Sequence, residues 1–444
     1  MLEYYKQYKT VGFVGCGVSN MPIIKLFAGA DGFDVVVRNK TGDFKEREEL
    51  EDIGVKLICG EDHLNDIYED LLFLSPVVHQ DHPEIEKAKC RGTVVTTEMQ
   101  EFMSRCKGTV IGITGSDGKT TTSTIISLLL KEAGYNVYLG GNIGENLFMK
   151  LDEIKENDFA VVELSSFQLM KTKAVPDIAV ITNVSPNHLD WHKDMAEYIY
   201  AKSKIYDRNK TKLLVLNKDN DLSLCFGSED MNIVRTSHLK MLEKGASYND
   251  EGIFYNGELY VKDEDILLPG VHNRANYSAA YCAVANYVSK EHLQKVCREF
   301  KGVEHRIELV KEVGGVKYYN SSIDTSPTRS KAALVSFKQR VIVIAGGYDK
   351  HLPVDILGEV YLEKTKAVIT MGQTAPLLNG LLDRIGYPYP RFCVSNMQEA
   401  IDAARSVADE GDVVILSPAA AGFDLYKNFA ERGRHFKQIV NGLE

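Results

Sequence analysis

The chain has 444 residues, of which 44% are hydrophobic and 26% charged, and its formal net charge at pH 7 is −10. This length exceeds a single hydrophobic core, so we expect several domains, and the composition is that of a globular protein. The acidic balance argues against a nucleic-acid partner, although a local basic pocket for phosphates is compatible with it.

The eight cysteines are scattered along the chain and form no CxxC pair. This usage indicates reduced thiols and argues against a zinc site or a disulfide framework. The N-terminus MLEYYKQYKT has no signal-peptide pattern, and no apolar run approaches the ~18 residues of a membrane span. We therefore expect a cytoplasmic protein that has no membrane partner.

Residues 10 to 100 alternate short apolar runs with amphipathic segments, which is typical of βαβ units around a parallel sheet. The run GCGVSN at 15–20 follows the first strand and resembles a dinucleotide fingerprint, but Asn20 replaces its third glycine. The acidic ribose-binding residue is also missing, since the second strand ends with Arg38. These departures disfavour a nicotinamide cofactor. Two interpretations stay open. Either a phosphate or diphosphate binds near Gly17, Ser19 and Arg38, or the segment is a plain β–α turn.

A second α/β unit begins near residue 102. Its strand, around Val110 to Ile113, leads into GSDGKTT at 115–121 and then into an apolar run long enough for a helix. A glycine turn between a strand and a helix N-terminus forms a phosphate cradle, because backbone N–H groups and the helix dipole face the anion. The spacing GxxGxxGKT departs from the strict P-loop, which has glycine where Ile113 stands. The predicted phosphate-binding residues are Gly115, Ser116, Asp117, Gly118, Lys119, Thr120 and Thr121.

Within this cradle, Lys119 is expected to reach the β- and γ-phosphates and Thr120 to place its hydroxyl on Mg²⁺. The buried strand Phe159 to Val162 is followed by Glu163. Ligands in open α/β sheets bind at the carboxyl ends of strands, so Glu163 is placed to hold Mg²⁺ opposite Thr120.

The next strand leads into SPNHLDWH, in which His188, Asp190 and His192 lie just past a strand end. Imidazole nitrogens and carboxylates are metal ligands, and this position beyond Glu163 favours such a role. The helix predicted from residue 195 to residue 209 carries Lys202 and Lys204. The sequence pattern alone predicts that both side chains are solvated.

From residue 212 onward, strands and helices continue, with a turn-rich hairpin section at 246–268 and an alanine-rich helix in HNRANYSAAYCAVANYV. A second boundary follows Phe300. The last section again alternates strands with helices, in RVIVIAGG, KAVITMG, RFCVS and DVVILSP.

In this order the motifs resemble those of the Mur ligases, and the resemblance covers residues 10 to 440. It is carried by GITGSDGKTT, GGNIG, VVELSSFQL, NVSPNHLDWH, YAKSKIY, HNRAN, EHRIELV, AGGYDKHLP and LSPAAAGFDLYKNFAERGRHF. The resemblance implies an α/β fold of three domains. These are a Rossmann-like domain at 1–102 for a UDP precursor, a central P-loop mononucleotide-binding domain at 103–300 for ATP, and a Rossmann-like domain at 301–444 for an amino acid.

The implied activity is an ATP-dependent, ADP-producing ligase of peptidoglycan precursor synthesis that acts as a monomer. The resemblance is greatest to family members that add D-glutamate to UDP-N-acetylmuramoyl-L-alanine through an acyl phosphate. It implies ATP and Mg²⁺, with a second Mg²⁺ bound through a carbamylated Lys202.

The resemblance also implies residue roles. The catalytic residues would be Lys119, Lys202 and His188, and the metal shell Thr120, Glu163 and His188. Asn273 and Arg306 would meet the nucleotide. The precursor would meet Gly17, Ser19, Arg38, Ser75 and Asn142, with Ser75, Pro76, His82 and Pro83 matching the uracil-side segment. The amino acid would meet Lys350, Thr325, Arg329 and Phe429.

Three departures from the family lie on the amino-acid side. The family run N-D-S-K-A-T reads NSSIDT at 320–325, so that an aspartate has become Ser321 and a lysine Ile323, and a common serine is Gly422. The lost contacts are expected to be rebuilt by Asp324, Thr325, Thr328 or Arg329. The identity of the amino acid is therefore open, with L-glutamate as an alternative.

Three other classes fit the sequence less well. A folylpolyglutamate-type ligase is disfavoured by the full UDP-type first domain. A nicotinamide oxidoreductase lacks its acidic ribose partner, and a nucleotide-gated binding protein would not need the set Thr120, Glu163 and His188.

Overall fold

The computed structural model describes residues 1–79, 81–189 and 191–444. The described residues form twenty β-strands and fourteen α-helices. The strands β1 to β20 are Thr10–Val14, Asp34–Asn39, Lys56–Cys59, Leu71–Leu74, Val94–Thr96, Thr109–Thr114, Val137–Gly141, Phe159–Glu163, Ile178–Ile181, Leu213–Asn217, Ile233–Ser237, Gly245–Asn249, Gly252–Tyr255, Glu258–Lys262, Glu308–Val313, Val316–Asn320, Val341–Gly346, Thr365–Met371, Arg391–Val394 and Val413–Leu416. The helices α1 to α14 are Met21–Ala28, Arg47–Asp52, Pro83–Cys90, Glu98–Arg105, Lys119–Glu132, Ser166–Lys171, Met195–Ser203, Val271–Val284, Lys290–Glu299, Pro327–Val335, Leu357–Lys364, Ala375–Arg384, Met397–Val407 and Phe429–Asn441.

The first sheet contains β1 to β5 in the order β3-β2-β1-β4-β5, and its neighbouring strands are parallel. Parallel strands covered by helices are buried on both faces, which explains the continuous apolar runs of β1 and β4. In its core the rings of Phe13 and Phe73 stack with centroids 5.0 Å apart, and Phe27 of α1 meets Tyr5 edge to face at 5.3 Å.

The second sheet has nine strands in the order β14-β13-β12-β11-β10-β9-β6-β8-β7. The pairs from β7 to β12 are parallel. Strand β6 lies between β8 and β9, so the loop after β6 has the carboxyl ends of both neighbours beside it. That edge of an open parallel sheet is where ligands bind.

The third sheet has the order β15-β16-β20-β17-β18-β19. Strand β15 pairs antiparallel with β16, and the remaining pairs are parallel. Strands β16 and β20 are neighbours in register, with Asn320 opposite Leu416. The turns that follow these two strands therefore start side by side.

These three parallel-dominated sheets confirm the predicted α/β fold. The described chain divides into two compact units, Met1–Tyr248 with Phe254–Glu258 and Asn276–Leu293, and Asn249–Ile253 with Leu259–Ala275 and Gln294–Glu444. One sheet falls within each of the predicted ranges 1–102, 103–300 and 301–444. The three domain ranges themselves stay a prediction.

Helix α7 ends at Ser203, whereas the prediction extended it to residue 209. The Asp207 side chain accepts a hydrogen bond from the Asn209 N–H at 2.9 Å, and its carbonyl accepts from Thr211 N–H at 2.9 Å. An aspartate that binds nearby backbone in this way favours a turn over a continued helix.

All eight cysteines are free thiols. No helix in the described part of the chain could cross a bilayer.

Candidate active site

The phosphate cradle is the loop 115–118 between β6 and α5. Gly115 has φ +153° and Gly118, the N-cap of α5, has φ +78°. A Cβ at Gly115 would overlap the Thr182 hydroxyl, and a Cβ at Gly118 would overlap the Asn276 amide oxygen. Both glycines are therefore required by backbone conformation and by space.

This requirement gives a stability prediction. Gly115→Ala should lower the free energy of unfolding by roughly 3 kcal/mol, because it combines backbone strain with overpacking. Gly134→Ala is the matched control, since Gly134 has φ +88° but open space around it, and it should lose only about 1 kcal/mol. Urea titration of both variants measures the difference, and equal losses would contradict the steric argument.

Hydrogen bonds to the next strand's loop hold the cradle in place. The Ser116 N–H donates to the Asn183 carbonyl at 2.9 Å, and the Asp117 N–H donates to Asn183 Oδ1 at 3.0 Å. The Thr182 hydroxyl donates to the Asp117 carbonyl at 2.5 Å. The Lys119 ammonium donates to the carbonyls of Gly115 and Ser116, both at 2.9 Å, so it lies folded over the loop.

Thr120, Asn142 and Glu163 converge beside the cradle. The Thr120 hydroxyl donates to Glu163 Oε2 at 2.7 Å, and the Asn142 amide donates to Glu163 Oε1 at 2.9 Å. Glu163 is only 1% exposed and ends β8, the strand that pairs with β6. The structure thus brings together three residues that lie far apart in sequence.

This donor set fits Mg²⁺, which prefers carboxylate and hydroxyl oxygens together with substrate phosphates. The Glu163 carboxylate and the Thr120 hydroxyl present such oxygens at the N-terminus of α5, where phosphates also bind. Among the described residues, no three His, Cys, Asp or Glu side chains form a metal cluster.

Lys202 lies on α7 and is 1% exposed. Burial lowers the pKa of Lys202 to about 6, and the positive charge of Lys119 adds to this effect. The Lys202 ammonium nitrogen lies 4.5 Å from the ring centroid of Tyr198. The Tyr198 hydroxyl in turn lies 3.0 Å from Ser116 Oγ in the cradle. Lys202 is therefore a buried amine at the cradle and not the solvated lysine that the residues alone suggest.

His188 lies on an exposed loop and has φ +54°. Its ring meets Phe167 edge to face at 5.1 Å. Trp191, the one tryptophan of the chain, packs against Phe167 at 4.7 Å and stacks on His79 at 4.4 Å. Asp190, which the sequence groups with His188, lies outside the described residues.

The predicted precursor residues of the first sheet lie in the turns after β1 and β4. The Gly17 carbonyl accepts from the N–H groups of Asn20 and Met21 and so begins α1, and a Cβ on Gly17 would meet open space. The Asn20 amide donates to the Gly15 carbonyl at 2.8 Å, so this buried side chain is hydrogen-bonded within the turn. The Ser75 N–H donates to the Val14 carbonyl at 3.0 Å, which joins the two turns.

Arg38 requires a correction, because it is placed to stabilise the first sheet and not to bind a ligand. It is fully buried and forms an ion pair with Glu69, Nε to Oε1 at 2.7 Å. Its remaining N–H groups donate hydrogen bonds to Glu69 Oε2 and to the carbonyls of residues 63, 65 and 66. All five guanidinium N–H groups are thus used within the protein. The expectation that Arg38 contacts a diphosphate was wrong.

In the second compact unit, Thr325 and Lys350 line one open cleft. Its walls also include Tyr348, Asp349 and the segment 418–420. The Lys350 ammonium lies 5.9 Å from the ring centroid of Phe423. A cation and a hydroxyl in a partly apolar cleft suit a small anionic ligand.

The other predicted residues of this unit lie elsewhere. Arg329 is exposed and donates to the Ile323 carbonyl at 3.4 Å, and Phe429 begins α14 with its ring 5.9 Å from His305. Asn273 is buried in the first turn of α8 and donates to the Pro269 carbonyl at 2.7 Å. Arg306 is half-buried just before β15.

Sequence reasoning missed two polar residues at these sites, Tyr198 and Asn276, and left a third, Asp324, undecided. Tyr198 carried a usable signal, since its spacing of four from Lys202 puts both on one face of α7. Asn276, whose amide oxygen accepts from Thr122 at 3.3 Å, carried none beyond its place in HNRAN. Asp324 was named only as one of four candidates, and its burial was not foreseen.

Comparisons with known proteins place these features in a wider group. Residues 113–284 match the model of the Mur ligase middle domain, and residues 305–420 match that of the Mur ligase glutamate ligase domain. The chain is 44% identical to a UDP-N-acetylmuramoylalanine–D-glutamate ligase of Clostridium botulinum, over 98% of this chain and 97% of that protein. It is 46% identical to the ligase of the same name from Acetivibrio thermocellus, with the same coverage. The crystal structure of UDP-N-acetylmuramate-alanine ligase from Thermotoga maritima superposes with a TM-score of 0.59 at 20% identity, over 97% of this chain and 99% of that one.

Proposed function

The chain belongs to the Mur ligase family, and on that basis we propose that it joins D-glutamate to UDP-N-acetylmuramoyl-L-alanine at the expense of ATP. The observation that carries this proposal is the convergence of Thr120, Asn142 and Glu163 beside the Lys119 loop. The relatives named above support the choice of D-glutamate, because they match this chain over nearly its full length.

The reaction needs an activated acid, since a carboxylate is a poor acyl donor. An oxygen of the alanyl carboxylate attacks the γ-phosphorus of ATP, and the bond to the β–γ bridging oxygen breaks as ADP leaves. The amine nitrogen of D-glutamate then attacks the acyl carbon, loses a proton and expels inorganic phosphate. Phosphoryl transfer depends mainly on positioning and charge neutralisation, which is the chemistry that this site offers.

The chain's own residues would divide these tasks. The N–H groups of the loop 115–118 and the Lys119 ammonium would bind the phosphates of ATP. Thr120, Glu163 and His188 would hold Mg²⁺, and Asn142 would orient the Glu163 carboxylate, as its 2.9 Å hydrogen bond suggests. Bound Mg²⁺ would neutralise charge on the phosphate oxygens.

Lys202 is proposed to be carbamylated. Only a neutral amine can attack CO₂, and burial lowers the pKa of Lys202 to about 6. Formation of the N–C bond releases one amine proton and places a carboxylate at the end of the side chain. The product is a longer, acidic side chain beside the cradle, which is a suitable ligand for a second Mg²⁺.

The remaining roles follow the three predicted domains. Residues 1–102 would bind the UDP precursor through Gly17, Ser19 and Ser75, and residues 103–300 would bind ATP. Residues 301–444 would bind the amino acid through Lys350 and Thr325 of the cleft, and Arg329 and Phe429, which lie outside the lining of that cleft, stay predicted contacts. Asn273 and Arg306 would contact the nucleotide.

We place this reaction in the cytoplasm, where ATP and nucleotide-activated sugars are made, and expect the chain to act as a monomer.

A second candidate keeps the chemistry but changes the amino acid, for example to L-glutamate. It is favoured by Ser321, Ile323 and Gly422, which stand where the family pattern has an aspartate, a lysine and a serine on the amino-acid side. A nicotinamide oxidoreductase stays disfavoured, because Asn20 replaces the third fingerprint glycine and β2 has no acidic residue at its end.

Phosphate release from ATP tests the proposal. It should require both UDP-N-acetylmuramoyl-L-alanine and D-glutamate, and a panel of D- and L-amino acids should identify D-glutamate as the one with the highest kcat/KM. ATP hydrolysis that is independent of the precursor would contradict the ligase chemistry. A preference for another amino acid would contradict only the choice of D-glutamate.

A further inference from the structure

A buried cluster of hydroxyl groups surrounds one carboxylate at the carboxyl edge of the third sheet. The Ser417 hydroxyl donates to Asp324 Oδ2 at 2.9 Å, and Ser330 Oγ lies 2.6 Å from Ser417 Oγ. The Ser321 side chain is also hydrogen-bonded to the Asp324 carboxylate. The three serines are fully buried, and Asp324 is 6% exposed.

This cluster joins two turns that follow neighbouring strands. Ser321 to Thr325 follow β16, and Ser417 to Ala420 follow β20. The first turn is itself closed by a hydrogen bond from the Asp324 N–H to the Ser321 carbonyl at 2.9 Å. The Asp324 carboxylate therefore forms a polar link from one turn to the other.

The two joined turns both contribute to the wall of the cleft that also contains Lys350. Thr325 comes from the first turn, directly after Asp324, and Pro418 to Ala420 come from the second, directly after Ser417. The hydrogen bond between Ser417 and Asp324 therefore connects two segments of the same cleft wall. The cleft itself is the proposed amino-acid site.

The charges that face Asp324 come from three elements. Burial raises the pKa of Asp324 to about 6, and the hydrogen bonds from Ser321 and Ser417 and the positive charges of Arg306 and Arg329 oppose that rise. The guanidinium of Arg432, on α14, also interacts electrostatically with the Asp324 carboxylate. The carboxylate is thus ionised at neutral pH and takes up a proton in mildly acidic solution.

The family pattern makes the position of this carboxylate unusual. The run N-D-S-K-A-T has its acid at the second position, whereas this chain has Ser321 there and an acid at Asp324, three residues later. The two positions belong to one closed turn, since the Asp324 N–H donates to the Ser321 carbonyl at 2.9 Å. A carboxylate at either of them could therefore serve the same turn.

We propose that Asp324 is a positioning residue for the amino-acid substrate, whose carboxylate locks the turn after β16 to the turn after β20 and so sets the width of the cleft between Thr325 and Pro418. This inference rests on the proposed function for the role of the cleft. It selects Asp324 from the four candidates that the sequence left open, because Thr328 and Arg329 are exposed and Thr325 lies in the wall that Asp324 positions.

The test compares Asp324→Ala and Asp324→Asn with the unchanged chain in steady-state kinetics. Loss of a hydrogen bond to a charged group should raise the KM for D-glutamate roughly tenfold in Asp324→Ala. The KM for ATP and the KM for the precursor should stay within about twofold. Asp402→Asn, which changes an exposed carboxylate on α13 of the same unit, is the matched control and should change nothing.

The pH profile supplies a readout that a merely structural residue would not move. In the unchanged chain, the KM for D-glutamate should rise as the pH falls through about 6. Asp324→Asn keeps the size of the side chain and an acceptor for Ser417 but cannot titrate. The ratio of its KM for D-glutamate to that of the unchanged chain should therefore vary with pH. A constant ratio would overturn the proposal.

A double variant tests whether the carboxylate can be moved. Ser321→Asp combined with Asp324→Ala should bring the KM for D-glutamate back to within about threefold of the unchanged chain. No recovery, or an equal rise in all three KM values, would overturn the positioning role. If the unchanged chain itself does not turn over D-glutamate, the proposed function fails, and this inference fails with it. If the unchanged chain turns over D-glutamate and only the variants behave unexpectedly, this inference alone fails.

Discussion

Replacement of Lys119 by alanine should lower the rate of amide formation by a factor on the order of 10³. Removal of a single charge-stabilising group from a preorganised site typically costs 10²–10³ in rate. Lys119 combines this role with that of holding the cradle, since its ammonium binds the carbonyls of Gly115 and Ser116. Formation of the peptide product, followed by chromatography at saturating substrates, measures the loss.

Two variants make this result specific. Lys131→Ala removes an exposed lysine from the last turn of the same helix and should retain full activity. Lys119→Arg keeps the charge, but the guanidinium is larger and planar, so it should recover only part of the rate. Joining of the two substrates at an unchanged rate by Lys119→Ala would exclude the cradle as the site of phosphoryl transfer.

Replacement of Lys202 by methionine should abolish most activity and yet stabilise the fold. We expect a rate loss on the order of 10²–10³, because a charged ligand to the metal site would be missing. The stabilisation applies in buffer depleted of CO₂, where Lys202 carries a free amine, and it follows from the cost of burying that amine, which a methionine of similar length does not incur. Lys204→Met is the control, since Lys204 is only half-buried and lies over the ring of Tyr200.

The pH dependence of the stabilisation has a defined sign. The pKa of Lys202 is about 6 in the folded chain, and that of an unfolded lysine is about 10.4. Folding therefore releases a proton between these values, and the stability of the unchanged chain rises with pH across the window. The advantage of Lys202→Met in urea should be largest near pH 6 and should shrink toward pH 10. An advantage that does not depend on pH would contradict a depressed pKa.

Carbamylation gives a separate prediction. In buffer depleted of CO₂ the unchanged chain should lose activity, and added bicarbonate should restore it. Lys202→Met should not respond to bicarbonate at all. A bicarbonate response of equal size in both proteins would place the effect elsewhere.

The features that the sequence predicted well depend on local patterns. The apolar runs, the glycine spacing and Lys119-Thr120 define a strand, a turn and a helix within about two dozen consecutive residues. The approach of Glu163 to Thr120 was also predictable, because strand ends share an edge in a parallel sheet. In contrast, the strand order that places β6 between β8 and β9 is not encoded in any local pattern.

The residues whose roles or surroundings were not predicted correctly depend on partners distant in sequence. Arg38 lies near the end of a strand next to a glycine turn, as a diphosphate ligand would, but Glu69 and three carbonyls of the segment 63–66 surround it in the fold. Asp324 lies in a polar turn that sequence alone would leave in solvent, yet Ser417, 93 positions later, covers it. Such pairings require the tertiary structure.

The single tryptophan, Trp191, gives this chain a built-in optical reporter. Its indole lies against Phe167 and stacks on His79, three residues along the chain from His188. Emission excited at the red edge of the protein spectrum therefore comes from one place only, with no background from other indoles. Any occupant that rearranges the His188 loop should shift that emission, so binding can be followed in the unlabelled chain by stopped-flow mixing.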